Sequence, residues 1–429
     1  MFSPNEKRER LGWCLYDWAN SAFATTIMAA ILPVYFAEIV VPDNGLDFVF
    51  LNLRGHLSAT SLWGYASGLT SLLIMVSAPV LGAIADHSHR KKFFLMTFCY
   101  VGSLLTMLLF FSGQGDVFYT LVLFCMAHYF FVGGNVFYDA FLPFFSFGKD
   151  MNRLSGQGYA LGYLGGGLLL ALNILFIQSG YRFGVSKLMS IKLSLASAGF
   201  WWAMFGTLSF FLFHEKKGTP SPHIAILQAA KIGFRKTWHT ARMVAGYKHL
   251  LIFLLAFMIY NDGVQTVIKM AAIYGKDELH LSTSTLLGTL LMVQFLGIGG
   301  ALLMSRMAGW CGTKRTIMAG LVVWFGLTLF AYRMETSLEF WILGIVAGLI
   351  LGGTQALSRS FYGSLIPKDQ SAQFFGYYSV FAKFSAIWGP IIFAYVRQVT
   401  GTARLSILSL ALFFLTGWIL LFFVKEKRL

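Results

Sequence analysis

Charge is what this chain has least of. Charged residues fill 12 % of its 429 positions, against roughly 25 % in a soluble domain, while 57 % are hydrophobic. That composition cannot clothe a water-facing globule, and lipid is the solvent that suits it. Acidic residues are scarcer still, 18 against 33 Lys and Arg, for a formal net charge of +15. The basic residues sit in short clusters between apolar runs, with no exposed domain to present them, which argues against a nucleic-acid partner. The four cysteines, Cys14, Cys99, Cys125 and Cys311, show neither a C-x-x-C pair nor the histidine spacing of a zinc site. They read as small core residues, so no disulfide, metal or other cofactor is expected. No G-x-x-x-x-G-K-[ST] is present, which excludes that route to ATP drive.

Long apolar runs are abundant. A spanning helix needs about 20 mostly apolar residues, and the sequence divides into about twelve such segments: 11–40, 58–85, 93–113, 116–145, 153–178 and 193–213, then 248–274, 283–308, 315–333, 337–363, 371–398 and 404–424. The basic amino terminus, M-F-S-P-N-E-K-R-E-R, runs into the first segment without an A-x-A cleavage site, so that segment is expected to remain as a span. Between the sixth and seventh segments lies one long polar linker, starting H-E-K-K-G-T-P-S-P-H. The expected organisation is a six-helix bundle over 1–213, a cytoplasmic linker over 214–246 and a second six-helix bundle over 247–429. Within the linker Leu227, Ala230, Phe234, Trp238 and Ala241 recur at helical spacing, with Lys231, Arg235, Lys236, His239 and Arg242 on the other face. This is the pattern of a basic amphipathic helix lying along a membrane surface or tethering the halves. With both termini cytoplasmic, about 23 of the 33 Lys and Arg fall inside and about 8 outside. Without the linker the balance is still about 16 to 8.

The sequence also repeats itself. F-Y-D-A-F-L-P (Phe137–Pro143) returns about half the chain later as F-Y-G-S-L-I-P (Phe361–Pro367). The turn G-A-I-A-D-H-S-H-R-K-K (Gly82–Lys92) has its counterpart in S-R-M-A-G-W-C-G-T-K-R (Ser305–Arg315), at nearly the same offset. Y-D-W-A-N-S (Tyr16–Ser21) answers Y-N-D-G-V-Q-T (Tyr260–Thr266), at a larger offset that a long first outer loop, Val41–Leu57, would produce. Two parallel six-helix units are the organisation of transporters that rock around a midplane site.

These residues resemble a known family. The Asp86 turn is similar to the G-x-L-A-D-x-x-G-R-R-x loop of the major facilitator superfamily, with Gly82, Ile84, Asp86, Arg90 and Lys91 matching and His89 standing where the superfamily usually has glycine. Y-D-W-A-N-S-A-F (Tyr16–Phe23), S-G-Q-G-Y-A-L-G-Y-L-G-G (Ser155–Gly166), Y-N-D-G-V-Q-T, G-G-T-Q-A-L-S-R-S (Gly352–Ser360) and F-G-Y-Y (Phe375–Tyr378) resemble its vacuole-effluxer-like branch. The resemblance implies an all-α integral membrane fold of twelve transmembrane helices in two pseudo-symmetric bundles, the major facilitator fold, with spans one, four, seven and ten lining the cavity. It also implies kinship with fungal proteins associated with amino-acid export from the vacuole. Tyr163 stands where the drug–proton antiporter pattern of span five has proline, so the resemblance does not extend to that activity.

Ionised groups at the centre of a span cost about 2.5–3.5 kcal/mol each. Asp17, Asp139, Asp262, Lys269, Arg359 and Lys383 lie inside apolar segments, a penalty on the order of 15–20 kcal/mol if all faced lipid. They are expected to face one another or water. Helical spacing adds Asn261, Gln265 and Thr266 to the face of Asp262 and Lys269, Asn20 and Ser21 to that of Asp17, His128 and Asn135 to that of Asp139, and Gln355 and Tyr362 to that of Arg359. Asp262 and Lys383 lie nearest mid-membrane. The expected solute- or proton-binding set is therefore Asp17, Asn20, Asn135, Asp139, Asn261, Asp262, Gln265, Lys269, Gln355, Arg359 and Lys383. Asp86, Arg90, Lys91 and Arg153 are expected at a gate. There Asp86 would meet the N-terminus of the eleventh helix, and Asp139 would pair with Arg90 or Arg153. An ion pair of Asp262 with Lys269 or Lys383 is the structural alternative to a solute or proton contact. His87 and His89 lack a third metal ligand. Gly158, Gly162 and Gly166, four apart on span five, permit close helix contact.

The expected function is secondary transport of a small polar solute, an amino acid by the pairing of charges, with a coupling proton, by a monomer in a bacterial inner membrane with both termini cytoplasmic. Lys383 or Arg359 would meet a carboxylate and Asp262 an ammonium. Export of an organic anion, siderophore or drug is the alternative, argued by the 17 % aromatic content. An embedded enzyme needs a tight acid–base or metal constellation, and a receptor needs a sensory domain. The His87–Lys92 cluster reads as the gate loop, and no polar stretch is long enough for a sensory domain.

Overall fold

The computed structural model describes residues 3–42, 46–50, 53–57, 59–146, 148–215, 242, 244 and 246–425. Among them are twelve helical segments long and apolar enough to cross a membrane, and the protein is a multi-pass integral membrane protein. The first six are α1 (Pro4–Val40), α2 (Leu62–Ser88), α3 (Lys91–Phe111), α4 (Val117–Phe145), α5 (Asp150–Phe183) and α6 (Lys187–Leu212). The second six are α7 (Lys248–Ala271), α8 (Gly288–Cys311), α9 (Thr313–Arg333), α10 (Ser337–Leu365), α11 (Lys368–Thr400) and α12 (Ala403–Phe422). The amphipathic pattern built on Leu227, Ala230, Phe234, Trp238 and Ala241 lies outside the described residues.

Local chemistry sets the ends. Ser3 starts α1 through a reciprocal capping box, its Oγ accepting from the Glu6 amide at 3.3 Å while Glu6 Oε2 accepts from the Ser3 amide at 2.8 Å. Glu215 does the same for α3 from a distance, accepting from the Lys91 and Lys92 amides at 2.9 Å each. His89 closes α2 with φ at 51°, a left-handed conformation that costs a residue with a Cβ and suits the glycine expected by resemblance. The segment Val41–Leu57, expected as an outer loop, instead carries an antiparallel hairpin, β1 (Leu46–Phe50) and β2 (Leu53–Leu57), with Phe48 opposite Gly55. Its two five-residue stretches, L-D-F-V-F and L-R-G-H-L, are too short to stand out beside the long apolar runs.

The chain divides into two compact units that do not follow chain order. The first holds Met1–Ser77, Arg90–Tyr138 and Leu164–Lys217, and the second Ala78–His89, Asp139–Tyr163 and Gly218–Leu429. In the first, α6 packs against α1 and α3; in the second, α12 packs against α7 and α9. The same helix partners are thus chosen in each sixfold set, which is the structural form of the sequence repeat. The packing is apolar and close: the Trp18 and Trp201 rings stack at 5.6 Å between α1 and α6, and Trp324 and Phe414 stack at 5.6 Å between α9 and α12. Gly166 lets α5 approach α1, where an added Cβ would lie 2.8 Å from Thr25 Cγ2.

Candidate functional site

Helix α11 is broken within the membrane. It runs over Ser371–Phe384, stops, and resumes over Trp388–Thr400. Its sequence there is S-A-I-W-G-P, and Pro390 has no N–H to give to Ala386, four residues earlier. The turn tightens instead, with Ala386 N donating to Lys383 O at 3.2 Å and Ile387 N to Phe384 O at 3.3 Å. The break leaves backbone groups without helical partners at membrane depth, where each needs one. Asp262 Oδ1 on α7 accepts from the Gly389 amide at 2.9 Å, and Lys269 Nζ, two turns along α7, donates to Ala386 O at 3.4 Å. Both signs of side-chain charge therefore serve the broken helix, the carboxylate at the positive start of its second half and the ammonium at the freed carbonyl.

Asp262 is 2 % exposed. Thr266 Oγ1 donates to it at 3.5 Å, and Asn261 Nδ2 beside it donates to Ser385 Oγ at the break. The expected ion pair of Asp262 with Lys269 or Lys383 is absent among the described residues; the free amide of Gly389 takes its place because a helix start offers donors without the cost of desolvating a second charge. Gly389 is obligatory there, since a Cβ would lie 2.7 Å from Asp262 Oδ1 and closer still to Thr266 Oγ1. Lys269 is within electrostatic reach of both Asp262 and Lys383. Lys383 is half-buried one turn before the break and Gln265 is half-buried on α7. Stacked rings adjoin on the same unit: Tyr378 lies 4.4 Å from Phe257 and 4.9 Å from Tyr362, and Tyr260 shares a 2.7 Å hydrogen bond with Ser358.

A second cluster is centred on Arg359 of α10, 3 % exposed. Its Nη1 donates to Asp139 at 3.1 Å, its Nε to Ser155 Oγ at 3.0 Å and its Nη2 to Ser155 O at 3.0 Å, and the guanidinium lies 4.3 Å from the centre of the Tyr159 ring. The sequence suggests Arg90 or Arg153 as the partner of Asp139; within its unit the partner is Arg359, because a planar fork one helix away can also satisfy the α5 backbone, which an arginine at the surface cannot. Arg153 is exposed at the start of α5. With all three guanidinium nitrogens engaged, Arg359 is a clamp between α4, α5 and α10. Gln355, one turn before Arg359, accepts from Tyr163 OH at 3.2 Å, and Asn152 joins Ser360 and Thr313 at 2.6 and 2.8 Å.

Asp86 caps the other half of α11. Its carboxylate accepts from the Gln373 amide at 2.8 Å and the Ala372 amide at 3.3 Å, so each half of α11 starts on a carboxylate from another helix. In the first unit, Asn20 donates to Asn135 at 2.6 Å, and Tyr138 OH donates to Asp17 at 3.1 Å while its ring stacks on Trp13 at 4.5 Å. Arg90 is exposed, and Lys91 is buried with its amide on Glu215. The structure thus gathers Asn261, Asp262, Lys269 and the α11 break in one place, Asp139 and Arg359 in another, and Asp17, Asn20 and Asn135 in the first unit. Gly389, Ser385, Ser155 and Tyr159 are additions that the sequence did not single out; the G-P pair at 389–390 was the available signal for the first two.

Known proteins share this architecture. The proton:xylose symporter XylE superposes with a TM-score of 0.69 at 13 % identity, over 99 % of this chain and 96 % of that one. The transporter FucP in its outward conformation gives 0.69 at 13 %, over 97 % and 99 %. At these identities the likeness is one of fold. In sequence, the chain is 31 % identical to an uncharacterised MFS-type transporter, YxiO, of Bacillus subtilis over 423 residues, 98 % of this chain and 95 % of the relative. It is 23 % identical to autophagy-related protein 22 of Pichia angusta, over 92 % of this chain and 88 % of that one. Residues 5–429 match the family described as vacuole effluxer Atg22 like. With nearly its whole length matched and twelve spans in the major facilitator fold, the chain belongs to the vacuole effluxer Atg22-like family of major facilitator transporters.

Proposed function

We propose that this transporter moves a small zwitterionic solute of the amino-acid type by alternating access, with a proton as coupling ion. The observation that carries the reading is that one helix break has a buried carboxylate and two lysines around it, with no ion pair between them among the described residues. Asp262 holds the start of the second half of α11, and Lys269 and Lys383 flank the same break. A solute ammonium would compete with the Gly389 amide for Asp262, and a solute carboxylate would draw on Lys383. Either a proton or an ammonium at Asp262 weakens its hold on α11, which supplies the differential contact that alternating access requires. A proton crossing 100 mV carries about 2.3 kcal/mol, enough for roughly a fortyfold solute gradient at about 1.4 kcal/mol per tenfold.

Asp86 at the start of α11, with Arg90, Lys91 and Arg153, is assigned to the gate on the membrane face that carries the amino terminus. The charge bias of the loops supports placing that face in the cytoplasm of a bacterium, and a monomer with six-plus-six sequence organisation suffices for the cycle. Two ammonium groups against one carboxylate also favour a second reading, an organic anion as solute.

Proteoliposomes bearing an inward proton gradient distinguish these. Amino-acid flux that needs the gradient, and that Asp262→Asn uncouples, supports the first reading. Flux of organic anions with no competition by amino acids supports the second, and no gradient-dependent flux of either class refutes both.

A further inference from the structure

We propose that the cavity between the start of α5 and the end of α8 holds the phosphate headgroup of an anionic phospholipid. The cavity measures about 540 Å³, and its walls include Arg153 and Asp150 from α5 and Arg306, Ser305, Leu302 and Trp310 from α8. Both arginines are exposed. Neither guanidinium makes a hydrogen bond or ion pair among the described residues. Two cations against one acid leave the cavity net positive, and two planar forks on one cavity are suited to the oxygens of a phosphate. Ser305, 5 % exposed, packs against Gly156 of α5, so the two helices meet closely at the wall of the cavity. The volume lies within the roughly 300–1,000 Å³ range of small-molecule sites.

The surroundings select a lipid over a soluble anion. An even number of crossings places the start of α5 and the end of α8 on one membrane face, that of the amino terminus. Trp310 is 80 % exposed, the residue type and position of an interfacial belt. Leu302 and Leu303, a turn or two deeper on α8, are exposed and give acyl chains an apolar path. A free phosphate would use the arginines alone and leave those surfaces idle. A headgroup bridging Arg153 and Arg306 ties α5 to α8, so anionic lipid favours the arrangement in which these two helix ends lie together.

The test uses the purified, delipidated full chain, titrated with phosphatidylglycerol, phosphatidylcholine or inorganic phosphate. Retained lipid is read by native mass spectrometry and stabilisation by thermal shift. Phosphatidylglycerol is expected to be retained and to stabilise, with retention falling at least tenfold in Arg306→Gln and further in Arg153→Gln/Arg306→Gln. Arg306→Lys, which keeps the charge without the fork, is expected to fall between. Trp310→Ala, which leaves both cations in place, is expected to lower retention of the lipid as well, and serves as the second variant should the double variant not fold. Phosphatidylcholine bound as well as phosphatidylglycerol, or full retention in the double variant and in Trp310→Ala, overturns the proposal. Equal stabilisation by inorganic phosphate overturns it in favour of a soluble anion.

Discussion

Replacing Arg359 is expected to loosen the packing of α4, α5 and α10 more than any other single change in this region. The native guanidinium donates to Asp139 at 3.1 Å and twice to Ser155 at 3.0 Å, over the Tyr159 ring. The two charged side chains are 4 % and 15 % exposed. Arg359→Gln leaves the Asp139 carboxylate without its countercharge in a place water barely reaches, and breaking a buried pair from one side costs about 3–5 kcal/mol. Asp139→Asn is gentler, because Arg359 keeps both bonds to Ser155 and the Tyr159 ring; about 1–3 kcal/mol is expected. The double variant is expected to cost less than the sum, with a coupling of about 1–3 kcal/mol. Equilibrium unfolding in mixed micelles, run on the four proteins of this cycle, measures all three quantities. Additive single effects, or Asp139→Asn costing as much as Arg359→Gln, would refute the account of Arg359 as the anchored member of the pair.

Other variants probe separate interactions. Gly389→Ala puts a methyl group 2.7 Å from Asp262 Oδ1; initial transport rates in proteoliposomes are expected to fall at least tenfold with the spans still assembled, and an unchanged rate would show that the break in α11 is incidental. Asp86→Asn removes a carboxylate from the amides of Ala372 and Gln373 and is expected to cost up to about 2 kcal/mol, seen as faster proteolysis at that membrane face. His89→Gly relieves a φ of 51°; a change between neutral and about 1 kcal/mol of stabilisation is expected, whereas His89→Val should destabilise, both read by thermal unfolding.

The candidate site was half legible in the sequence. Intramembrane charges announce themselves because hydrocarbon penalises each one separately, so Asp262, Lys269, Asp139 and Arg359 could be singled out from their immediate neighbours. Their partners could not. Asp139 meets an arginine from the other half of the sequence, and the choice of Arg359 over Arg153 depends on where α5 places Ser155 and Tyr159. The apolar run from 371 to 398 reads as one helix by hydropathy, yet it is two, because a missing N–H at Pro390 is invisible to a count of apolar residues.

By itself the sequence determined the number of spans, the repeat and the residues that lipid would not tolerate, since each follows from hydropathy or spacing over a few turns of helix. Tertiary structure decided that Arg359 is a clamp rather than a free cation, that Asp262 answers a backbone amide rather than a lysine, and that both halves of α11 start on borrowed carboxylates. The physical reason is the same in each case: a polar group in a membrane is satisfied by whichever donor or acceptor the packing of distant helices brings within about 3 Å.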